Sequence, residues 1–204
     1  MPVLEYTVSM SSILMSKLKI QIIIGSVRQT RFGVQPANWI YEKAKKLEGL
    51  EVELIDLKDW PLPFFDEPKS PSTSGGVYEN PDGARWADKI GEADGYIIVA
   101  PEYNHGYSAV LKNAMDWVYK QWNNKPVAFV SYGTVGGARA VEQLRQVAVE
   151  VQMTPIRAAI HMVAPWNLLD EQGQLKTESF EKAGDDMLAQ LVWWMAALKK
   201  AREA

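Results

Sequence analysis

The sequence contains no cysteine, and its 204 residues include two histidines, His105 and His161. Without cysteine the chain has no disulfide, no thiolate metal ligand and no thiol nucleophile. Two histidines far apart in sequence do not indicate a histidine-rich metal centre, and we expect no metal site. We therefore expect difficult chemistry in this chain to belong to a bound organic cofactor.

An excess of positive charge and a long apolar run are also missing. The 22 basic and 25 acidic residues give a net charge of -3, so the chain has no broad basic field to attract nucleic acid or an anionic membrane. No apolar run approaches the roughly 20 residues that a membrane span needs. Residues 1–17 lack the basic stretch and continuous apolar core of a signal peptide, and we expect a cytoplasmic protein.

The chain has the composition of an ordinary globular domain. Hydrophobic residues make up 47% and charged residues 23% of it, values that argue against disorder. The length allows one sizeable core and is short for two. We therefore predict an N-terminal arm over residues 1–17 and a single domain over residues 18–204.

Apolar, β-branched runs alternate with helical patterns along the chain. Strands are predicted at 18–24, 52–56, 95–100, 126–132 and 155–163. Helices are predicted at 35–48, 111–122, 141–151 and 177–200, where apolar residues recur every three or four positions. Such alternation gives a parallel sheet with helices on both faces, and ligands bind beyond the carboxyl ends of its strands. The segment 61–83 is a long irregular excursion, typical of a lid or mobile segment.

The loop after the first strand, GSVRQTRFG at 25–33, has the groups that bind an anion. It lacks both the dinucleotide GxGxxG spacing and the GK[ST] of a P-loop. It does offer the hydroxyls of Ser26 and Thr30, the guanidinium groups of Arg28 and Arg31, and backbone amides at a helix N-terminus. A terminal phosphate monoester fits these groups. The alternative is a solvated turn with incidental arginines, which its position after a buried strand disfavours.

The loop after the third strand begins PEYNHG at Pro101 and is suited to a flat ring. Pro101 should end the strand. We expect the amides of Glu102, Tyr103 and Asn104 to be unpaired at the sheet edge, where they can bind a planar heteroaromatic ligand. Tyr103 adds a flat apolar face, Asn104 a donor and an acceptor, and Gly106 permits close approach.

Other side chains of this stretch have structural interpretations. Ser108 is predicted to cap the next helix, and Lys112 should pair with Asp116 one turn on. Glu102 is a candidate general base, but a buried carboxylate at a turn more often holds backbone amides or a neighbouring arginine. For His105, an exposed loop position and a ligand contact are equally compatible with the sequence.

The loop after the fourth strand, SYGTVGGARA at 131–140, is rich in glycine just before a helix. Gly133, Gly136 and Gly137 allow the backbone to approach a flat ring and to donate amides to carbonyl oxygens. A simple strand-to-helix turn explains the same residues, and the sequence of this loop alone does not decide between the two.

The stretches PEYN (101–104) and LKNAMDW (111–117) are the strongest of several family motifs in the chain. GSVR (25–28), WPLPFFDEP (60–68) and SYGTVGGARAVEQLR (131–145) accompany them in the right order. Over residues 18–165 the chain thus resembles the NADPH-dependent FMN reductase family. This is a family of flavodoxin-like proteins that include azo-, chromate- and quinone-reducing enzymes.

The resemblance implies a three-layer α/β sandwich with a five-stranded parallel sheet of order 2-1-3-4-5. It also implies non-covalent FMN, with its phosphate in the first loop, its isoalloxazine ring against the second and its pyrimidine edge near the third. The residues expected to bind FMN are Ser26, Arg28, Arg31, Phe32, Gly33, Pro101, Glu102, Tyr103, Asn104, Gly106, Ser131, Tyr132, Gly133, Gly136 and Gly137. Many family members carry a small hydroxylated residue where Arg31 stands, so we expect guanidinium and backbone to bind more of the phosphate here.

The resemblance further implies a ping-pong reaction with NADPH or NADH as co-substrate. Hydride passes to N5 of FMN, and a quinone, azo dye, metal oxyanion or free flavin is then reduced, with no catalytic side chain. Family members are usually homodimers or homotetramers with the flavin near the subunit interface. Two alternatives stay open, an electron-carrier flavodoxin and a flavin-binding sensor without turnover. The small net charge and Arg28 argue against the carrier, because carriers tend to be strongly acidic and to lack arginine in the phosphate loop.

Overall fold

In a computed structural model, which describes residues 17–204, the five apolar runs form one sheet of parallel strands. The strands are β1 (Leu18–Ile24), β2 (Leu50–Asp56), β3 (Gly95–Pro101), β4 (Pro126–Gly133) and β5 (Thr154–Val163). Their order is β2-β1-β3-β4-β5, which confirms the predicted topology. All of the predicted arm except Lys17 lies outside the described residues.

In this described part of the chain, five α-helices cover the two faces of the sheet. They are α1 (Val34–Ala44), α2 (Pro81–Gly91), α3 (Ala109–Asp116), α4 (Ala138–Glu150) and α5 (Glu181–Arg202). Each face of the sheet has its own hydrophobic cluster. The helices α1 and α5 pack on one face, and α2, α3 and α4 pack on the other. The three-layer sandwich is therefore confirmed. Within residues 17–204, no helix combines the length and the apolar character that a membrane span requires.

The burial of each strand matches its position in the sheet, between the two helical layers. β1, β3 and β4 lie inside the sheet and are almost wholly buried, as expected for parallel strands between two helical layers. β2 and β5 are the edge strands and retain partly buried and exposed residues. One face of β5 exposes Arg157, His161 and Val163.

Two helices differ most from the sequence prediction, while the other three are shifted by up to four residues at one end. The segment predicted to be irregular through residue 83 ends earlier, because α2 begins at Pro81 with the Asn80 side chain accepting hydrogen bonds from the amides of Asp82 and Gly83. The helix predicted at 111–122 ends at Asp116, and turns follow. Those turns bury Trp122 over the same core, and its Nε1 donates to the Met115 carbonyl. The residues after Asp116 are therefore buried at the spacing expected of a helix although they form turns.

The strand order brings three loops together at one edge of the sheet. β1 lies beside β3, and β3 beside β4, so the loops after these strands are neighbours. Backbone hydrogen bonds tie the first two loops to the next strand, from the Gly25 amide to the Val99 carbonyl of β3 (2.9 Å) and from the Glu102 amide to the Tyr132 carbonyl of β4 (2.9 Å). The topology thus places the three predicted ligand-binding loops around one region.

Candidate functional site

The first loop contacts the second through Ser26. This side chain is buried, and its hydroxyl lies 2.7 Å from the hydroxyl of Tyr103. Arg28 is exposed, and its guanidinium carbon lies 6.0 Å from the centroid of the Tyr103 ring. A serine hydroxyl, a tyrosine and an arginine from two of the predicted binding loops are therefore brought together.

Arg31 is the buried cation of the first loop. About nine-tenths of its side chain is buried, and one terminal nitrogen forms an ion pair with Asp56 at the end of β2. Its Nε and its other terminal nitrogen are buried and have no hydrogen-bond partner among the described residues. Because a buried unpaired donor is unfavourable, Arg31 is suited to an additional acceptor.

Tyr132 places a third unpaired donor beneath the same loop. Its hydroxyl is buried and has no hydrogen-bond partner within residues 17–204. Burial raises the pKa of Tyr132 above its usual value, so at neutral pH the hydroxyl keeps its proton. A Cβ at Gly33 would lie 2.7 Å from this hydroxyl, which explains why a glycine is needed there. The Phe32 ring centroid lies 5.1 Å from that of Tyr132.

The second loop closes on itself in a tight turn. The Tyr103 amide donates to the Gly106 carbonyl (2.8 Å), and the Gly106 amide donates back to Tyr103 (3.0 Å). Asn104 and His105, between them, have positive φ angles of 50° and 72°. Of three amides predicted to be unpaired, those of Glu102 and Tyr103 are therefore paired, and the prediction was wrong for them. The amide of Asn104 has no partner in the described part of the chain.

Glu102 anchors this loop to α4. Its side chain is 4% exposed and accepts hydrogen bonds from Nε of Arg139 (2.6 Å) and from the Arg139 backbone amide (3.2 Å). Arg139 also reaches Nε2 of His105 at 2.8 Å. An arginine only donates, so Nε2 of His105 accepts in this contact. The structural interpretation of Glu102 is confirmed, and His105 belongs to the same anchor.

The third loop is held from below by Ser131. This hydroxyl is fully buried and lies 2.7 Å from the Gly136 carbonyl and 2.8 Å from Nδ1 of His161. Gly136 and Gly137 have φ angles of 74° and 78°, and a Cβ at Gly137 would lie 2.7 Å from that of Ser131. The Ser131 side chain is therefore committed to contacts within the protein.

The predicted helix start and surface pair after the second loop are both confirmed. Ser108 caps α3 by accepting a hydrogen bond from the Leu111 amide at 3.3 Å, and it donates to the Gly25 carbonyl. Lys112 and Asp116 form the predicted ion pair. Ser108 thus also ties the second loop to the first.

The family motif after the second loop holds the 60–68 segment in place. Asn113 donates to the carbonyls of Leu62 (3.2 Å) and Pro63 (2.9 Å) and accepts from the Phe65 amide (3.2 Å). Trp117 Nε1 donates to the Pro63 carbonyl at 2.7 Å. This part of the predicted lid or mobile segment is therefore fastened to α3.

Three site residues were missed by the sequence reasoning. They are Asp56, which pairs with Arg31, Arg139, which binds Glu102, and His161, which contacts Ser131. Each lies near the carboxyl end of a strand or just beyond it, in the region that neighbouring strands share. The predicted strand order sets β2 beside β1 and β5 beside β4, which indicates the neighbourhood of Asp56 and His161 but singles out neither residue, and it gives no signal for Arg139.

Known proteins are similar to this chain in sequence and in fold. The family model described as NADPH-dependent FMN reductase matches residues 18–167. An NAD(P)H-dependent FMN reductase of Schizosaccharomyces pombe is 42% identical over 144 residues, covering 70% of this chain and 72% of that protein. An NADPH:quinone oxidoreductase of Arabidopsis thaliana is 31% identical over 169 residues, covering 79% of this chain and 83% of that protein. The solved structure of FerB, a flavoenzyme NAD(P)H:(acceptor) oxidoreductase from Paracoccus denitrificans, matches with a TM-score of 0.70 at 22% identity, over 88% of this chain and 98% of that one.

Proposed function

Because the chain belongs to the NADPH-dependent FMN reductase family and is an NAD(P)H-dependent oxidoreductase that uses FMN, we propose that its three edge loops form the flavin site. The observation that carries this proposal is the clustering of unpaired donors. Four buried side-chain polar atoms lack a partner within residues 17–204, and three of them, on Arg31 and Tyr132, lie in or against the first loop. A phosphate group supplies the acceptors that these donors lack.

The phosphate binds within residues 26–33 in this proposal. Arg31 and Tyr132 provide buried donors, and Ser26 and Arg28 lie on the side of the second loop. The backbone at the end of the loop leads directly into α1, whose N-terminus favours an anion. Asp56 balances part of the Arg31 charge and holds the guanidinium in place.

The ring of the flavin lies between the second and third loops. Two anchors fix these walls, the contact of Glu102 with Arg139 and that of Ser131 with the third loop. Preorganised walls reduce the ordering cost of binding and orient a bound ring. One wall is formed by Pro101, Glu102, Tyr103, Asn104 and Gly106, and the base of the other by Ser131, Tyr132, Gly133, Gly136 and Gly137.

When bound, FMN would supply the redox chemistry between NADPH or NADH and the acceptor. The chain's own residues bind and orient, and we assign no catalytic role to a side chain. Glu102 is committed to Arg139 and is poorly placed to act as a base. The electron-carrier and sensor alternatives are not favoured, because the relatives are named as reductases and oxidoreductases.

We assign a quinone as the electron acceptor. The Arabidopsis thaliana relative is named as a quinone oxidoreductase, and apolar side chains are exposed on the third loop, at the end of β5 and just after it. Val135, Val163 and Trp166 there are 43%, 55% and 63% exposed, which suits a flat, weakly polar acceptor. Reoxidation of NADPH-reduced enzyme should be faster with a benzoquinone than with free FMN or an azo dye, and the reverse order would overturn this assignment.

The assembly and location follow the family pattern in this proposal. We assign a homodimer or homotetramer in the cytoplasm, where NADPH and NADH are supplied. Phe64 supports the assembly, because it is 82% exposed on a segment that Asn113 and Trp117 fasten to the domain. A rigidly held, exposed aromatic side chain is typical of an interface anchor.

The phosphate site is tested by comparing FMN with riboflavin, which lacks the phosphate. Dissociation constants are measured by quenching of flavin fluorescence for the wild type, Arg31→Met and the control Arg157→Met, an exposed arginine of β5. We expect Arg31→Met to weaken FMN binding about 10- to 100-fold and riboflavin binding less than about twofold, with no change in the control. Equal losses for both flavins, or no loss for FMN, would refute the proposed phosphate site.

A further inference from the structure

We propose that His161 is a positioning residue for the flavin ring, acting through Ser131 on the third loop. The proposal rests on the proposed flavin site. His161 lies on β5 directly beside Ser131 of β4 in the strand register. No sequence motif marked it, and no step of the chemistry described above uses it.

The direction of the hydrogen bonds follows from counting protons. The Ser131 hydroxyl has one proton, and its shortest contact is the Gly136 carbonyl at 2.7 Å. A carbonyl can only accept, so Ser131 donates there. The contact with Nδ1 of His161, at 2.8 Å, must then run the other way, with Nδ1–H donating to the serine oxygen. A chain of two donors therefore runs from His161 through Ser131 to Gly136.

This chain fixes the shape of the third loop. The Gly136 carbonyl is held down by Ser131, while the Gly136 amide donates to the Gly133 carbonyl at 3.0 Å. Gly136 lies close over β5, since a Cβ built at Gly136 would be 3.0 Å from the Cβ of His161. The loop therefore has little room to move toward β5, and the hydrogen bonds set its position.

The fixed loop presents unpaired donors on its other side. The amides of Thr134 and Val135 have no partner among the described residues, and both residues are exposed. In the proposed site these amides face the pyrimidine edge of the ring, whose carbonyl oxygens accept hydrogen bonds. Donors placed where negative charge develops favour the reduced ligand over the oxidised one. Loss of the His161 donor should therefore affect ring binding and redox balance, and should leave phosphate binding alone.

The test uses three substitutions of similar size at this exposed position. His161→Asn keeps a donor close to the place of Nδ1, His161→Asp puts an acceptor there, and His161→Leu removes both. Dissociation constants for FMN and riboflavin are measured together with the midpoint potential of the bound flavin. Arg157→Leu, on the same exposed face of β5, is the matched control.

We expect His161→Leu and His161→Asp to weaken both flavins about tenfold and by equal factors, because the effect lies at the ring. The affinity for reduced flavin should fall about threefold more than the affinity for oxidised flavin. This is equivalent to a midpoint potential of the bound flavin about 15 mV lower for a two-electron couple. His161→Asn and Arg157→Leu should stay within about twofold of the wild type.

Two results would overturn the proposal. One is wild-type flavin affinity and midpoint potential in both His161→Leu and His161→Asp; the other is a His161→Asn variant as impaired as His161→Leu. Either can occur while Arg31→Met still discriminates between FMN and riboflavin, in which case the flavin site stands and the role of His161 alone fails. If Arg31→Met does not discriminate between FMN and riboflavin, the proposed flavin site itself fails, and with it the premise of this proposal.

Discussion

A buried hydroxyl without an acceptor destabilises a folded protein, and within residues 17–204 Tyr132 carries such a group. Its position beneath Gly33 makes sense if a ligand completes its hydrogen bonding. Replacing it with phenylalanine should then have opposite effects on folding and on binding. This makes Tyr132 the most informative single residue of the site.

For Tyr132→Phe we expect the free energy of unfolding of flavin-free protein to rise by about 1 kcal/mol, because the unpaired hydroxyl is removed. FMN affinity should fall about tenfold and riboflavin affinity should not change. Urea unfolding and fluorescence titration measure the two quantities.

Tyr96→Phe is the matched control for this prediction. The Tyr96 hydroxyl is also buried, but it donates to the Ile90 carbonyl at 2.7 Å, so its removal should lower stability by about 1 kcal/mol. Equal destabilisation by both substitutions would contradict our interpretation of Tyr132.

Lys125 gives a prediction about pH. Burial lowers the pKa of this lysine to about 8, below its ordinary 10.5. Between these values the unfolded chain keeps a proton that the folded chain has released, so stability contributed by Lys125 rises with pH. The free energy of unfolding of the wild type minus that of Lys125→Met should therefore increase from about pH 8 to about pH 9.5, by at most about 1.4 kcal/mol per pH unit.

Thermal or urea unfolding at several pH values measures this difference, and Lys120→Met, at an exposed neighbour, is the control. The Lys125 ammonium lies 3.0 Å from the Gly91 carbonyl and 3.1 Å from the Tyr96 hydroxyl. If these acceptors keep it charged throughout the range, the difference will be flat, and the lowered pKa will be wrong.

Single residues were predicted well where the contact is local in sequence. The Ser108 cap and the pair of Lys112 with Asp116 span three and four positions, and both are confirmed. The amides of Glu102 and Tyr103 were predicted wrongly, because their partners are set by the strand register and by closure of the turn. Contacts between loops depend on three-dimensional placement that spacing along the chain does not encode.

At the scale of elements, α3 does more than cover the sheet. Asn113 within the helix and Trp117 just after it hold the segment 62–65 through its backbone. This gives a physical reason for the asparagine and tryptophan of the LKNAMDW motif. The helix therefore sets the position of a segment that follows a different strand.

For Asn113→Ala we expect a loss of about 1 to 3 kcal/mol of stability, since carbonyls of the segment lose their donor. Amide hydrogen exchange should speed up in residues 62–65 and stay unchanged in β3. Lys112→Ala, which removes an exposed ion pair on the same helix, should cost less than about 0.5 kcal/mol. Unchanged exchange in the segment would show that Asn113 does not hold it.

The strands were easier to predict than the helices. Each interior strand is a continuous apolar run because helices cover both of its faces, and all five predicted strands formed. α2 was missed although Asn80 and Pro81 are a helix-start signal. α3 was predicted too long, because the turns after it bury Val118 and Trp122 at the spacing expected of a helix.

For the whole molecule, the order of the strands is what assembles the site. The three loops are separated by many residues along the chain, and they meet because β1, β3 and β4 are neighbours. The first loop adds unpaired donors, while the second and third are anchored to α4 and β5. The general arrangement was predictable from alternation and family motifs, whereas the anchors Asp56, Arg139 and His161 required the structure.

The central claim is that these loops hold FMN with its phosphate at the first loop, and a crystal structure of the FMN complex tests it most directly. We predict phosphate oxygens within about 3 Å of the unpaired nitrogens of Arg31 and of the Tyr132 hydroxyl, with the ring beside Tyr103 and its pyrimidine edge at residues 133–137. A phosphate bound elsewhere, with the donors of Arg31 and Tyr132 still unpaired, would contradict the account.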